Sequence, residues 1–151
     1  MKHLISCNQF NRENLEEIIE MAKEVKLNPK KYENSIDGKV VVTLFYEPST
    51  RTRLSFETAV QRVGGKIVST ENAKEASSVV KGESLKDTTR TVHGYSDAII
   101  IRHPDVDSSE IAASVSKVPI INARSRKRRA SNTSTFRHLY NKRKKGSNRW
   151  T

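Results

Sequence analysis

The sequence predicts an α/β domain in which a layered parallel sheet carries helices on both faces. Four short segments predicted as strands, two of them apolar runs typical of buried strands, alternate with segments whose apolar residues recur at helical spacing. A strand followed by a helix and a second strand implies a right-handed parallel crossover. Ligands bind such sheets beyond the carboxyl ends of the strands, so the residues after each strand are the first candidates for a site.

The first predicted element is a helix that Asn11 caps and Pro29 stops, with acidic residues near its positive end. Its apolar positions follow the i, i+3, i+4, i+7 rule. They are Leu15, Ile18, Ile19, Ala22 and Val25. Asp37-Gly38 then turns the chain into a strand at 39–45, whose unbroken apolar run indicates burial on both faces.

A turn and a second helix follow this strand directly, and Gly64-Gly65 ends the helix. A short strand is predicted at 66–69. Residues 70–82 lack apolar periodicity and are rich in Ser, Ala, Glu and Lys, which indicates a loop. The side of the helix expected to face the sheet carries Leu54, Ala59, Val60 and Val63.

Two further helices and two strands complete the alternation. Ser84 and Asp87 have the spacing of a capping box for a helix that runs to about His93, and a buried strand follows at 97–102. Asp107 with Glu110 is expected to cap the next helix, before a fourth strand at 118–121. The apolar residues of that helix are Ile111, Ala112 and Val115.

The charge of the chain is unevenly distributed. The 28 Lys and Arg exceed the 17 Asp and Glu by a formal net charge of +11, which at first suggests a nucleic-acid binder. However, residues 1–122 contain 17 basic and 17 acidic residues, whereas residues 123–151 contain 11 basic residues and no acidic one. A neutral domain at 1–122 is therefore joined to a basic tail at 123–151, which we expect to be disordered.

Several function classes lose support from the composition. Cys7 is the single cysteine, so no internal disulfide can form, and the four histidines lack metal-ligand spacing. No glycine-rich nucleotide loop occurs, and no apolar run is long enough for a signal peptide or a membrane span. We expect a soluble, cytoplasmic protein.

The most informative stretch is 45–57, Phe-Tyr-Glu-Pro-Ser-Thr-Arg-Thr-Arg-Leu-Ser-Phe-Glu, where the first strand leads into a helix. A helix N-terminus offers unpaired N–H groups and the positive end of the macrodipole, and the hydroxyl and guanidinium groups of 49–53 add donors shaped for phosphate. The 77–81 loop and Arg102-His103-Pro104 follow two further strands. A plain surface helix is the alternative interpretation of 49–53.

This stretch resembles the carbamoyl-phosphate signature of the aspartate and ornithine carbamoyltransferases. The resemblance continues through 81–88 (Lys-Gly-Glu-Ser-Leu-Lys-Asp-Thr) and 97–104 (Asp-Ala-Ile-Ile-Ile-Arg-His-Pro) to 119–123 (Pro-Ile-Ile-Asn-Ala). Glu47-Pro48 and Lys81 are closer to the aspartate branch. The resemblance implies carbamoyl transfer from carbamoyl phosphate to L-aspartate in pyrimidine biosynthesis, a homotrimer with or without regulatory subunits, and no cofactor or metal.

The resemblance also implies residue roles. Ser49, Thr50, Arg51 and Thr52 would hold the phosphate, with Arg51 also stabilising the leaving group. Arg102 would bind the phosphate and carbonyl side of carbamoyl phosphate, so that Arg51, Thr52 and Arg102 are the predicted catalytic residues. The last implied contributors, Ser77 and Lys81, would reach the site of a neighbouring subunit, although a loop hydroxyl and a solvated lysine remain their alternatives.

Beyond Asn122-Ala123 the family pattern is lost. The family continues with Gly-Asp-Gly, a His-Pro-Thr-Gln motif and an aspartate-binding domain, whereas this chain continues with Arg124-Ser125 and a basic run. Permitted codons for Ala130 onward encode His-Pro-Thr-Gln when they are read one base later. We therefore expect a frameshift between about codons 123 and 129, and no transferase activity from this chain alone.

Two alternatives remain open from the sequence. The basic tail, with runs such as Lys142-Arg143-Lys144-Lys145, could bind nucleic-acid backbones, which we regard as the weaker interpretation. The neutral domain could also be a carbamoyl-phosphate binder without catalysis.

Overall fold

Four parallel strands form one sheet in the computed structural model, which describes residues 2–71 and 83–124. The strands are β1 (Val40–Phe45), β2 (Lys66–Glu71), β3 (Ala98–Arg102) and β4 (Ile120–Asn122). Their order across the sheet is β2-β1-β3-β4, with β1 paired to both β2 and β3. The chain therefore moves to one side of β1 first and later returns to its other side.

Five helices connect or precede these strands in the described part of the chain. They are α1 (Arg12–Leu27), α2 (Pro29–Tyr32), α3 (Thr50–Arg62), α4 (Leu85–Val92) and α5 (Ser108–Val115). A single 3-10 turn at Cys7–Gln9 precedes α1.

The two faces of the sheet carry separate apolar clusters, since successive side chains of a strand point to opposite faces. On one face Val42, Leu44, Ile99, Ile101 and Ile120 pack with Val92 of α4 and Ala112 of α5. On the other face Val41, Phe45 and Ile100 pack with Phe56 and Val60 of α3. Helices thus cover both faces of a parallel sheet, as the sequence predicts.

Two of the three predicted caps are confirmed. The Asn11 side chain accepts a 2.8 Å hydrogen bond from the Asn14 N–H, and the Ser84 hydroxyl accepts one from the Asp87 N–H. The prediction for Asp107 is confirmed for its position only. Asp107 is the N-cap residue of α5, but among the described residues its side chain makes no capping hydrogen bond.

Some element boundaries differ from the predicted ones. Pro29 does not simply stop α1, because it occupies the first position of α2, where its missing N–H costs nothing. Strand β2 continues through residues 70 and 71, which were assigned to the loop. The fourth strand begins at Ile120, two residues after its predicted start.

Five of the apolar positions predicted to face the core are exposed instead: Ile18, Ala22, Leu54, Ala59 and Ile111. Leu54 is 51% exposed, and Phe56 takes its expected place against the sheet. Ile18 and Ile111 are also exposed, at 45% and 39%. Helical periodicity identifies the apolar side of a helix, but it does not decide which apolar residue at the margin of that side meets a neighbouring element.

The N-terminal segment adds a contact that the sequence did not indicate. Leu4 forms a parallel bridge with Ile121, so that its N–H donates to the Ile120 carbonyl and its carbonyl accepts from the Asn122 N–H. This short pairing satisfies backbone groups on the outer side of β4, where the sheet would otherwise present an open edge.

Candidate functional site

The carboxyl ends of β1 and β3 meet at the point where the strand order reverses. Phe45, the last residue of β1, pairs in register with Arg102, the last residue of β3. The pairing extends one residue further, since the Tyr46 N–H donates a 2.8 Å hydrogen bond to the Arg102 carbonyl. This reversal of strand order is the usual ligand position in open parallel sheets.

The turn after β1 leads directly into the N-terminus of α3 at the same edge. Ser49 is the N-cap residue, and its carbonyl accepts the first intrahelical hydrogen bond from the Arg53 N–H at 2.9 Å. The Ser49 side chain makes no capping hydrogen bond within the described residues. Its hydroxyl and the first N–H groups of α3 are therefore left for an external acceptor.

The side chains of the first turn of α3 differ in exposure. Thr50 and Arg51 are exposed, whereas Ser49 and Thr52 are half-buried. An exposed guanidinium beside several hydroxyl groups suits a doubly charged phosphate, because each group donates to an anionic oxygen.

Arg53, the second arginine of the motif, lies close to an acidic residue of the same helix. Its Nε lies 3.8 Å from Oε1 of Glu57, and both side chains are largely buried. The same carboxylate oxygen accepts hydrogen bonds from the Thr43 hydroxyl at 2.9 Å and the Ser69 hydroxyl at 2.6 Å. This network ties α3 to β1 and β2, so Arg53 supports the position of the helix.

Glu47 lies between two arginines at the opposite side of the turn. Arg102 Nε is 3.5 Å from Glu47 Oε2, and Arg124 Nη1 is 3.1 Å from Glu47 Oε1. Arg102 Nη1 also donates a long 3.4 Å hydrogen bond to the Ala123 carbonyl. One carboxylate thus balances two guanidinium groups, and the cluster keeps a net positive charge at the end of β3.

Tyr46 and His103 form the apolar side of this edge. Their ring centroids are 4.7 Å apart, and burial raises the pKa of the Tyr46 phenol, so it stays neutral at physiological pH. The Asp105 N–H donates to Nδ1 of His103 at 3.1 Å. The His103 ring is therefore held by a backbone group of its own loop.

Five of the seven predicted site residues lie at the same edge of the sheet. Ser49, Thr50, Arg51 and Thr52 start α3, and Arg102 ends the adjacent strand β3. The other two, Ser77 and Lys81, lie outside the described residues.

Two residues of the site were missed from the sequence. Glu47 lies inside the motif and could have been identified as the acid nearest to Arg102 at the sheet edge. Arg124 could not, because it is the first residue beyond Ala123, where the family pattern ends, and only the fold shows that its side chain contacts Glu47.

Two features are absent from the described part of the chain. Across residues 2–71 and 83–124, no three His, Cys, Asp or Glu side chains come together as potential metal ligands. None of the helices in these ranges combines the length and apolar character that a membrane crossing requires.

Comparison with known proteins gives consistent matches. Residues 2–129 match the family described as "Aspartate/ornithine carbamoyltransferase, carbamoyl-P binding domain". The aspartate carbamoyltransferase catalytic subunit of Clostridium novyi is 52% identical over 122 residues, which are 81% of this chain and 40% of that protein. The chain thus spans about two fifths of the length of the curated relatives it matches.

Solved structures agree with the sequence comparison. The catalytic subunit of M. jannaschii aspartate transcarbamoylase superposes with a TM-score of 0.75 at 48% identity, over 82% of this chain and 41% of that one. Aspartate transcarbamoylase from Trypanosoma cruzi in complex with carbamoyl phosphate superposes with a TM-score of 0.74 at 40% identity, over 81% of this chain and 40% of the other.

Proposed function

We propose a function from one premise: this chain belongs to the aspartate/ornithine carbamoyltransferase family, of which it contains the carbamoyl-phosphate-binding domain. The domain binds carbamoyl phosphate at the shared edge of β1 and β3. Together with an aspartate-binding domain, it serves transfer of the carbamoyl group to L-aspartate in pyrimidine biosynthesis. The observation that carries the proposal is the in-register pairing of Phe45 with Arg102, which places Arg102 and the turn that leads into α3 at the same edge of the sheet.

The phosphate of the ligand takes the start of α3. Its oxygens accept from the first N–H groups of the helix and from the hydroxyls of Ser49, Thr50 and Thr52, while Arg51 supplies the opposite charge. Support comes from the Ser49 hydroxyl, which the helix does not use as a cap in the described structure, and from the exposure of Arg51.

Arg102 binds the carbonyl side of the ligand. The uncharged amine of aspartate attacks the carbamoyl carbon and the carbonyl oxygen gains negative charge. The bond to the phosphate oxygen then breaks, phosphate leaves, and the attacking nitrogen releases one proton. Arg102 and Thr52 stabilise the charge on the carbonyl oxygen, and Arg51 stabilises the departing phosphate. These fixed donors lower the barrier because they need no reorganisation when the charge develops.

A binding experiment on the full 151-residue chain tests this proposal. Isothermal titration calorimetry with fresh carbamoyl phosphate is expected to show saturable binding to one site. Arg51→Ala at the start of α3 should weaken binding about tenfold or more, since a charge-assisted hydrogen bond is lost. Arg62→Ala at the other end of the same helix is the matched control and should bind as the unchanged chain does.

Two results would contradict this assignment. The assignment is wrong if the folded chain, checked by circular dichroism, does not bind carbamoyl phosphate, or if the two arginine variants lose affinity equally.

The subunit contacts form a separate part of the proposal. The domain assembles as a trimer in which Ser77 and Lys81 complete the site of a neighbouring copy. Light scattering after size exclusion would report the mass, and Lys81→Ala should weaken carbamoyl-phosphate binding only under conditions in which the trimer forms. A monomer that binds normally would rule out this contribution.

The loss of the family sequence pattern after residue 123 also needs an explanation. We propose that 123–151 are encoded out of frame, so that the chain as written does not itself catalyse the transfer. The identity of curated relatives over 122 to 125 residues supports this boundary. Sequencing the genomic locus tests it, because the shifted frame should encode His-Pro-Thr-Gln, and carbamoyl-aspartate formation by the purified chain would count against it.

A further inference from the structure

We propose that Arg124 is a positioning residue: it holds the Glu47 carboxylate away from full pairing with Arg102 and so keeps the Arg102 guanidinium available to an anionic ligand. The inference rests on the proposed function for the identity of that ligand. It concerns the polypeptide as it stands, in which an arginine follows Ala123.

Arg124 is the most enclosed of the three charged side chains. Its side chain is 8% exposed, compared with 23% for Arg102 and 26% for Glu47. Nη1 of Arg124 contacts Oε1 of Glu47 and also donates to the His103 carbonyl. A guanidinium that is removed from water in this way needs these acceptors, so its position is fixed by them.

The backbone around Arg124 directs its side chain toward Glu47. The Arg124 N–H donates a 2.9 Å hydrogen bond to Oδ1 of Asn122, and the Asn122 amide in turn donates to the Ile5 carbonyl at 3.0 Å. The Ala123 carbonyl accepts from Arg102 Nη1. These hydrogen bonds fix the segment that follows β4 next to Arg102 in the structure without a ligand.

The contact between Glu47 and Arg102 is incomplete. Arg102 Nε and Glu47 Oε2 are 3.5 Å apart, and within the described residues neither atom makes a hydrogen bond, although both are buried. A carboxylate and a guanidinium that face each other normally form two short, parallel hydrogen bonds. The Arg124 contact with the other oxygen of Glu47 gives a direct reason for this departure.

Arg102 and Arg124 compete for the Glu47 carboxylate, and this competition affects anion binding. A forked pair with Glu47 would occupy the donors of Arg102 and neutralise its charge. Sharing the carboxylate leaves donors of Arg102 free and adds a second positive charge next to the edge where the ligand is proposed to bind. Removing the Arg124 charge should therefore weaken the binding of anions through both effects.

Two readouts on the full chain test this inference, with Arg124→Gln as the variant. The first readout needs no ligand and is the rate at which the Arg102 Nε proton exchanges with water. It is measured by NMR on protein that contains 15N-labelled arginine. The Arg102 signal is identified as the one that disappears in Arg102→Lys. Exchange should slow about fivefold or more in Arg124→Gln, because Glu47 can then accept from Arg102. In a Glu47→Gln background the same substitution should have no effect on exchange.

The second readout is affinity for inorganic phosphate and for carbamoyl phosphate. Both should bind about tenfold more weakly to Arg124→Gln. Arg90→Gln removes an exposed arginine that pairs with Asp87 and is the matched control with unchanged affinity. If Arg124→Gln does not fold, Arg124→Lys should slow the exchange by a smaller factor, since lysine lacks the fork that spans both acceptors.

The outcomes separate this inference from the proposed function. Unchanged exchange in Arg124→Gln, or tighter phosphate binding, would overturn the role of Arg124, because the residue would then be a bystander or a competitor of the anion. Slower exchange in a chain that binds no carbamoyl phosphate would support the role of Arg124 on Arg102 and would reject the proposed function instead.

Discussion

The backbone N–H of Tyr46 donates a 2.8 Å hydrogen bond to the carbonyl oxygen of Arg102. This bond is the last between the two central strands, and beyond it the chain departs toward α3 on one side and toward His103 on the other. The distance between the two parts of the candidate site is thus set by the sheet. A site built this way is positioned by rigid elements, which limits the reorganisation that ligand binding requires.

The first prediction concerns the charge at the end of β3. Arg102→Gln should raise the dissociation constant for carbamoyl phosphate by roughly 10-fold to 100-fold, because a hydrogen bond to a charged group contributes about 1.5–3 kcal/mol. Isothermal titration calorimetry on the full chain measures the effect. Arg12→Gln is the control, since Arg12 is 83% exposed and pairs only with Glu16 among the described residues.

Arg102→Gln could also act through the fold, because Glu47 loses one of its two cationic neighbours. Urea unfolding of the same variant separates the two effects. If affinity falls only in proportion to the fraction of unfolded protein, Arg102 has no direct contact with the ligand.

The second prediction concerns the network that supports α3. Thr43 is fully buried in β1, and its hydroxyl donates to the Glu57 carboxylate at 2.9 Å. Thr43→Val keeps the shape but leaves this carboxylate with one donor fewer, so the free energy of unfolding should fall by about 1.5–3 kcal/mol. Denaturation with urea measures the change.

Thr89→Val provides a matched control for this substitution. Thr89 is equally buried, but its hydroxyl donates to the neutral Leu85 carbonyl one turn earlier in α4. Its loss should cost about 0.5–1.5 kcal/mol. Equal costs for the two threonines would mean that the charge of Glu57 plays no part.

Much of the sheet follows from the sequence because its strands are buried on both faces. Strands β1 and β3 do not alternate between apolar and polar residues, and Thr43 is the one polar residue in their interiors. Such continuous apolar runs are typical of central strands in a parallel sheet. The start of α3 was equally clear, since the hydroxyl-rich and basic turn directly follows a strand. These local signals identify the strands and the anion-binding end of the helix.

The remaining features depend on contacts between distant segments. Arg124 meets Glu47 across 77 positions of the sequence, and the Leu4 bridge to Ile121 spans a still longer separation. Leu54 and Phe56 are both apolar and lie two positions apart, so periodicity alone could not decide which one packs on the sheet. The tertiary structure determines each of these three features, and the residues near each position in the sequence do not indicate it.

The third prediction uses two glycines with left-handed backbones. Gly64 has φ +89°, and a Cβ there would lie 2.7 Å from the Glu33 carbonyl oxygen, whereas Gly38 has φ +74° and open space around it. Gly38→Ala should cost about 1–2 kcal/mol from backbone strain alone. Gly64→Ala should cost more, because the backbone at Glu33 must also shift, and thermal or urea unfolding ranks the two variants. Equal costs would show that the turn at Glu33 yields without penalty.

The fourth prediction concerns the acid-dependent part of stability. Asp97 accepts a 2.8 Å hydrogen bond from the Val40 N–H and pairs with Lys39 at 3.0 Å, and these contacts, the backbone hydrogen bond first, hold the pKa of its carboxyl below the ordinary value. Because the folded-state pKa is the lower one, the unfolded chain takes up the proton first as the pH falls. The stabilisation is therefore complete well above the unfolded pKa of about 3.9 and is lost as the pH falls through the folded pKa.

Asp97→Asn should accordingly be less stable than the unchanged chain at pH 7, and the gap between the two should narrow steadily below about pH 5. Urea midpoints measured at intervals from pH 7 to acid pH give this gap directly. Asp37→Asn removes an exposed acid from the turn before β1 and is the control for the loss of one negative charge. A gap that stays constant across the range would mean that Asp97 stabilises the start of β1 through its shape and its hydrogen bond, with no contribution from its charge.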